Sequence, residues 1–98
     1  MRLAREFGIF EPFSIGAVSP RCTDFEAYGM CYAPDRGGRY VIVVRTFSRF
    51  DGSDLPADVV IDTVCHEMAH IPFMDHSRSW RILYHSMLRW AAINNVEV

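Results

Sequence analysis

The alternation of apolar and polar residues predicts two long helices in the C-terminal half of the chain. Between residues 56 and 71, apolar residues recur every three or four positions, which is the period of a helix. One stripe of this predicted helix consists of Ala57, Val60, Ile61, Val64, Met68 and Ile71. Val59 and Thr63 lie on the other side, which should face a cleft. Pro72 should end the helix, because proline lacks a backbone donor and disfavours the helical conformation of the preceding residue.

Polar residues and a proline mark where these helices should begin. Ser53 and Asp54 are candidates for a polar cap before Pro56, which is tolerated in the first turn of a helix. A second helix is predicted to start within residues 75–77 and to continue to residue 93. Its apolar stripe consists of Trp80, Leu83, Tyr84, Met87, Trp90 and Ala91. This stripe should pack on the first helix.

Shorter elements are predicted in the N-terminal half. Residues 2–7 suit a short helix that stops near a glycine, whereas residues 9–25 look irregular because prolines and a glycine interrupt them. Residues 27–33 and 39–47 suit two strands of a hairpin, with turn residues at 34–38 between them. The second strand is continuously apolar at its centre, which suggests burial on both faces.

Together these elements predict an α+β fold, in which a short antiparallel or mixed sheet packs on a central helix and a C-terminal helix. The chain of 98 residues shows no repeat and no break in composition, so residues 1–98 are expected to form one domain. Residues 1–26 lack clear periodicity. They could form an N-terminal arm or a lid.

Composition and charge exclude several classes of protein. Half of the residues are hydrophobic and 22% are charged, as in a globular domain. All ten basic residues are arginines, and with twelve acids they give a formal net charge of −2, so a nucleic-acid partner is not expected. No apolar run reaches the about 18 residues of a membrane span.

Cysteine usage favours a reducing compartment. Cys22, Cys31 and Cys65 are odd in number and lack the spacing of a zinc ribbon. Cys22 and Cys31 could meet across a hairpin only in an oxidising compartment. The N-terminus has no sustained apolar stretch of the signal-peptide kind, so a cytoplasmic location is expected.

The run HEMAHIPFMDH, residues 66–76, carries the candidate chemistry. His66 and His70 are one helical turn apart, which brings two imidazoles within reach of one metal ion. Glu67 lies beside them, where it can take a proton from a metal-bound water as a general base. After the break at Pro72, His76 can supply a third ligand, and a fourth position stays open as catalytic zinc requires.

The longer run HEMAHIPFMDHSRSW resembles the motif of the YgjP-like and SprT-like zincin metallopeptidases, in which HExxH is followed by a third histidine in an HSxxW-like extension. The resemblance covers about residues 27–92, but only residues 66–80 are specific. It implies a zincin fold, zinc bound by three histidines, and Glu67 as the catalytic acid and base. The histidine spacing also matches that of the metzincins, but Phe73 replaces their glycine and Met87 lies in a predicted helix rather than in a Met-turn.

The predicted function is therefore that of a zinc-dependent metallopeptidase, an endopeptidase acting on a peptide or protein substrate. By resemblance, the strand at residues 39–47 would hold the substrate as a sheet edge. Asp62 or Asp75 could orient an imidazole. Tyr84 suits the core better than a role as an oxyanion donor, and His85 should lie on the surface.

Two other functions remain open on the sequence. A catalytically silent, zinc-stabilised binding or scaffold domain would use a fourth protein ligand, drawn from Cys22, Cys31 or Asp75. A SprT-like DNA-associated protease would carry an arginine-lined face near the cleft and would bind DNA in a salt-sensitive way.

Overall fold

The computed structural model describes residues 2–18, 27–34 and 38–94. Three helices and three strands follow one another along the chain: α1 (Arg2–Glu6), β1 (Phe13–Ala17), β2 (Gly29–Tyr32), β3 (Tyr40–Val44), α2 (Ala57–Ala69) and α3 (Arg78–Asn94). The predicted α+β fold is confirmed. Both long helices lie where the apolar periodicity places them, to within three residues at each end.

The three strands form one mixed sheet in the order β1-β3-β2. β2 runs antiparallel to β3, which confirms the predicted hairpin pairing, although part of its predicted turn, residues 35–37, lies outside the described residues. β1 runs parallel to β3, with Phe13 opposite Tyr40 and Ala17 opposite Val44. The prediction that residues 9–25 are irregular is therefore wrong for β1, because pairing with β3 orders a segment whose own sequence is a weak strand former.

β3 is the central strand, so the prediction that it forms a free sheet edge is wrong. Its two neighbours occupy both of its hydrogen-bonding sides, which leaves β1 and β2 as the edges of the sheet among the described strands. The prediction that β3 is buried on both faces is also wrong for part of the strand. Ile42 and Val44 are buried towards the helices, whereas Val41 is 38% exposed on the opposite face.

α2 packs against β2, β3 and α3, and the core lies between them. The core residues are Leu3, Ala4, Ile9, Cys31, Ile42, Val44, Val64, Cys65, Met68, Ala69, Ile71, Trp80, Met87 and Ala91. Three stripe positions of α3, namely Trp80, Met87 and Ala91, are buried as the sequence predicts. Cys31 and Cys65 are free, buried thiols, and Cys22 lies outside the described residues.

The start of α2 differs from the prediction. Its N-cap is Pro56 and no side chain caps it, so the predicted polar cap from Ser53 or Asp54 is wrong. The backbone of this segment is instead paired with residues that follow β3, through an isolated bridge between Phe47 and Asp54 and a hydrogen bond from the N–H of Leu55 to the carbonyl of Thr46. Among the described residues, no helix has both the length and the apolar content that a membrane span needs.

Candidate metal centre

Three histidines meet at the C-terminal end of α2. His66 lies in the last turn of the helix, His70 is its C-cap residue, and His76 lies in the loop that leads to α3. Their candidate ligand atoms all lie within 4.8 Å of one another. Three imidazole nitrogens so placed can hold a metal ion. In the described parts of the chain, no cysteine or carboxylate belongs to this group, and neither does His85, which is exposed as predicted.

The last four carbonyl groups of α2 show how the helix ends. Inside a helix each carbonyl accepts from the fourth residue along, so the final four need other donors. Those of Glu67, Met68 and Ala69 accept from backbone N–H groups of the following loop. The carbonyl of His66 accepts from the indole Nε1–H of Trp80, at 3.2 Å.

Trp80 therefore connects His66 to α3 through this hydrogen bond. Its ring also contacts all three imidazoles and forms the floor of the site. Its indole stacks on the imidazole of His70, with ring centroids 5.1 Å apart, and lies edge-on to those of His66 and His76, each at 4.7 Å. Sequence reasoning placed Trp80 in the buried stripe but missed its hydrogen bond. This hydrogen bond could have been expected, because a helix that ends after His70 leaves carbonyl groups without an intrahelical donor.

The loop fixes the tautomer of His70. Its Nδ1 lies 2.9 Å from the carbonyl oxygen of Phe73, and because a carbonyl can only accept, Nδ1 carries the proton. The lone pair is then on Nε2, the nitrogen available for a metal. This backbone carbonyl takes the role that the sequence offered to Asp62 or Asp75. Those carboxylates accept instead from Tyr84 and from the backbone N–H of Ser77.

Electrostatics favour the neutral form of the first histidine. The pKa of His66 is lowered by burial and, to a smaller extent, by the neighbouring His70 and His76. A metal ligand must be the unprotonated imidazole, so with this lowered pKa a metal ion has less need to displace a proton from His66 into the solvent.

Glu67 is buried on the side of α2 that faces β2, and only 5% of its surface is exposed. Burial raises the pKa of its carboxyl group to about 7. A carboxylate with a pKa near neutrality can both accept and return a proton, which is the property required of a general base.

Glu67 and His66 share the wall of one cleft, about 410 Å³ in volume. The cleft is lined by Tyr28, Gly29, Val59, Asp62, Thr63, His66 and Glu67. β2 thus borders the cleft, where the sequence had placed β3. The glycine allows the close approach, because a Cβ at Gly29 would lie 2.5 Å from Cγ2 of Thr63 and 3.1 Å from Cγ of Glu67.

The outer edge of β2, next to this cleft, carries backbone groups that do not bond to β3. Arg45 donates its backbone N–H to the carbonyl of Tyr28, so this pair is a hydrogen-bonded pair of the antiparallel ladder. Hydrogen-bonded and non-hydrogen-bonded pairs alternate along such a ladder. Gly29 and Cys31 belong to the non-hydrogen-bonded pairs, so their N–H and C=O groups face away from β3.

Tyr84 connects Asp62 with the aromatic floor. Its hydroxyl donates to Oδ1 of Asp62, and its ring stacks on Trp80 at 5.1 Å and meets His66 edge-on at 5.4 Å. Burial and the bond to Asp62 raise the pKa of Tyr84. Its ring is half-buried against the core, as the sequence predicted, while the position of its hydroxyl was not foreseen.

Comparisons with protein-family models, with curated proteins and with solved structures found no match to this chain. The resemblance to YgjP-like and SprT-like zincins therefore rests on the motif from His66 to Trp80 alone. The three-histidine group does not depend on that resemblance, because the fold itself brings the three side chains together.

Proposed function

We propose that this chain is a zinc metallopeptidase of the zincin type, an endopeptidase that resembles the YgjP-like and SprT-like enzymes. One observation carries the proposal: three histidines converge at the end of α2 while a buried glutamate, Glu67, lines the same cleft as the first of them. A chance pair of helical histidines would not require a third from a separate loop or a buried carboxyl group beside them.

The donor set fits zinc. Imidazole nitrogens bind Zn²⁺ at about 2.0–2.1 Å, which in a tetrahedral site separates the ligand atoms by roughly 3.4 Å. The ligand atoms of the three histidines lie at most 4.8 Å apart and can reach that separation by side-chain rotation, because His76 is exposed in a loop. With three protein ligands one position is left for substrate. When bound, zinc would supply a Lewis acid that polarises the scissile carbonyl and lowers the pKa of water.

Glu67 is assigned the proton transfers. It takes a proton from the attacking water as the oxygen of that water bonds to the carbonyl carbon of the peptide. It then delivers the proton to the amide nitrogen as the C–N bond breaks, so that a carboxylic acid and an amine are formed. Its burial supports this role, because an idle carboxylate in a dry position is costly.

The outer edge of β2, which no described strand covers, is the proposed site for the substrate backbone. An extended peptide can pair with the N–H and C=O groups of Gly29 and Cys31 and become a further strand of the sheet. This replaces the sequence-based assignment to β3, whose two sides are occupied by its neighbours.

Two histidine variants and one glutamate variant test the proposal. Zinc content is measured by elemental analysis, and cleavage is followed with a quenched peptide library. We expect about one zinc per chain in the wild-type protein and in His85→Ala, which changes a histidine outside the site, and loss of zinc and cleavage in His76→Ala. Glu67→Gln should keep zinc and lose cleavage.

Other outcomes would point to the competing functions. Stoichiometric zinc without cleavage of any peptide would favour a scaffold domain, and zinc retained by His76→Ala would show that another ligand completes the site. Absence of zinc from the wild-type protein would contradict the proposal.

A further inference from the structure

The cleft beside the metal centre combines apolar walls with one exposed acid. Val59, Thr63 and Tyr28 line it, and Asp62 is exposed on α2 one turn before His66. Apart from the buried Glu67, Asp62 is the only charged side chain among the described residues that line the cleft. No arginine of the described part of the chain lines the cleft to neutralise it. The cleft is therefore complementary to a long aliphatic chain that ends in a cation.

Asp62 is held in place for such a ligand. Tyr84 donates its hydroxyl to Oδ1, and Tyr84 itself is fixed by stacking on Trp80. A carboxylate has about four lone-pair sites, and the tyrosine uses one. The remaining sites keep a defined direction because the side chain is anchored, so less rotational freedom is lost when a ligand binds.

We propose that Asp62 selects substrates with a lysine or arginine side chain next to the scissile bond. The assignment of the ligand as a substrate side chain rests on the proposed peptidase function. The position next to the scissile bond follows because Asp62, His66 and Glu67 line one cleft. Since Asp62 is partly open to water, the preference over an uncharged side chain of equal length should be about tenfold rather than several hundredfold.

Binding is measured so that the test does not depend on turnover. The zinc-loaded Glu67→Gln protein is titrated with fluorescent peptides that differ only at one position, lysine against norleucine, and that position is moved along an otherwise alanine sequence. Both peptides are acetylated, so an effect of the α-amino group is excluded. We expect about tenfold tighter binding of the lysine peptide at one position only.

Three substitutions in this background locate the effect. Asp62→Asn should remove the preference for lysine. Asp58→Asn makes the same change of charge on the same helix, but Asp58 does not line the cleft, so the preference should remain. Tyr84→Phe removes only the anchoring hydrogen bond and should keep a weakened preference.

The outcomes separate this inference from the proposed function. Equal binding of both peptides at every position, or a preference that survives Asp62→Asn, would overturn the inference even if the wild-type protein cleaves peptides. A preference that depends on Asp62 would support the selection of a cationic side chain by Asp62 even if no peptide were cleaved, in which case the peptidase function, and with it the position next to a scissile bond, would fail separately. In an active wild-type enzyme the same tenfold ratio should appear in kcat/KM.

Discussion

The contact between β2 and α2 gives the sharpest test of how the cleft is built. In Gly29→Ala, the new Cβ would stand 2.5 Å from Cγ2 of Thr63 and 3.1 and 3.2 Å from Cγ and Oε2 of Glu67. Carbon atoms in contact prefer about 3.5–4.0 Å. The methyl group of Thr63 cannot turn away without breaking the bond from its Oγ1 to the carbonyl of Val59. The strand and the helix must therefore separate by about 1 Å.

The expected change in the free energy of unfolding follows from two opposing effects. Overpacking of this kind costs about 1–3 kcal/mol, while replacing glycine by alanine lowers the entropy of the unfolded chain and returns about 0.4–1 kcal/mol. With the middle of each range, Gly29→Ala should lower the free energy of unfolding by about 1.3 kcal/mol. Gly16→Ala in β1 is the matched control, because a Cβ there meets nothing within 4 Å, and it should be neutral or slightly stabilising.

Thr63→Ser removes only the obstructing methyl group and keeps the hydroxyl, so it should rescue most of the loss. Urea unfolding of the metal-free single and double variants forms a double-mutant cycle, with an expected coupling of about 1 kcal/mol or more. Cleavage should recover less than stability does, because the contact with Glu67 remains. If Gly29→Ala is as stable as the wild type, or if Thr63→Ser fails to rescue it, the described packing of β2 on α2 is wrong.

Three further predictions concern the metal centre. Burial raises the pKa of Glu67 from its ordinary value of 4.5 to about 7, so the folded state binds more protons between these values and the metal-free protein loses stability as the pH rises through them. Glu67→Gln should therefore have the same free energy of unfolding as the wild type near pH 4 and be more stable by up to about 3 kcal/mol at pH 8. Urea unfolding at both pH values measures this difference. A difference that does not change with pH would contradict the prediction. Trp80→Phe removes the hydrogen bond to His66 and should lower both the unfolding free energy, by about 1 kcal/mol or more, and the affinity for zinc measured by competition with a chelator. Unchanged zinc affinity would show that this bond does not position the ligand. Zinc at 100 times its Kd should raise the unfolding free energy of the wild-type protein by about 2.7 kcal/mol, and His76→Ala should abolish that gain in thermal melts with and without chelator.

The sequence predicted those elements whose signal is local. α2 and α3 have strong helical periodicity, and Pro72 limits where α2 can end. β1 carried no such signal, because its five residues include Gly16 and follow Pro12. Its order comes from parallel pairing with a strand more than twenty residues further on, and non-local pairing cannot be deduced from local propensity. The same limit explains the wrong choice of β3 as an edge.

The candidate site likewise has parts that could be predicted from the sequence and parts that could not. His66, His70 and Glu67 are related by the geometry of one helix, so their arrangement could be predicted from their spacing. The placement of Gly29 against Glu67 could not, because it depends on which strand borders the helix. The same holds for the hydroxyl of Tyr84, since its partner Asp62 lies on another helix.

The break at the end of α2 connects the fold to the proposed chemistry. On a continuous helix, residue 76 would lie about 9 Å further along the axis than His70 and about 240° around it, out of reach of a common metal ion. Ending the helix lets His76 return, but it also leaves carbonyls without partners. The bond from Trp80 to the carbonyl of His66 satisfies the carbonyl that the loop does not reach. The same residue that completes the helix end therefore supports the imidazoles, so the stability of α2 and the geometry of the metal centre cannot be altered independently at this position.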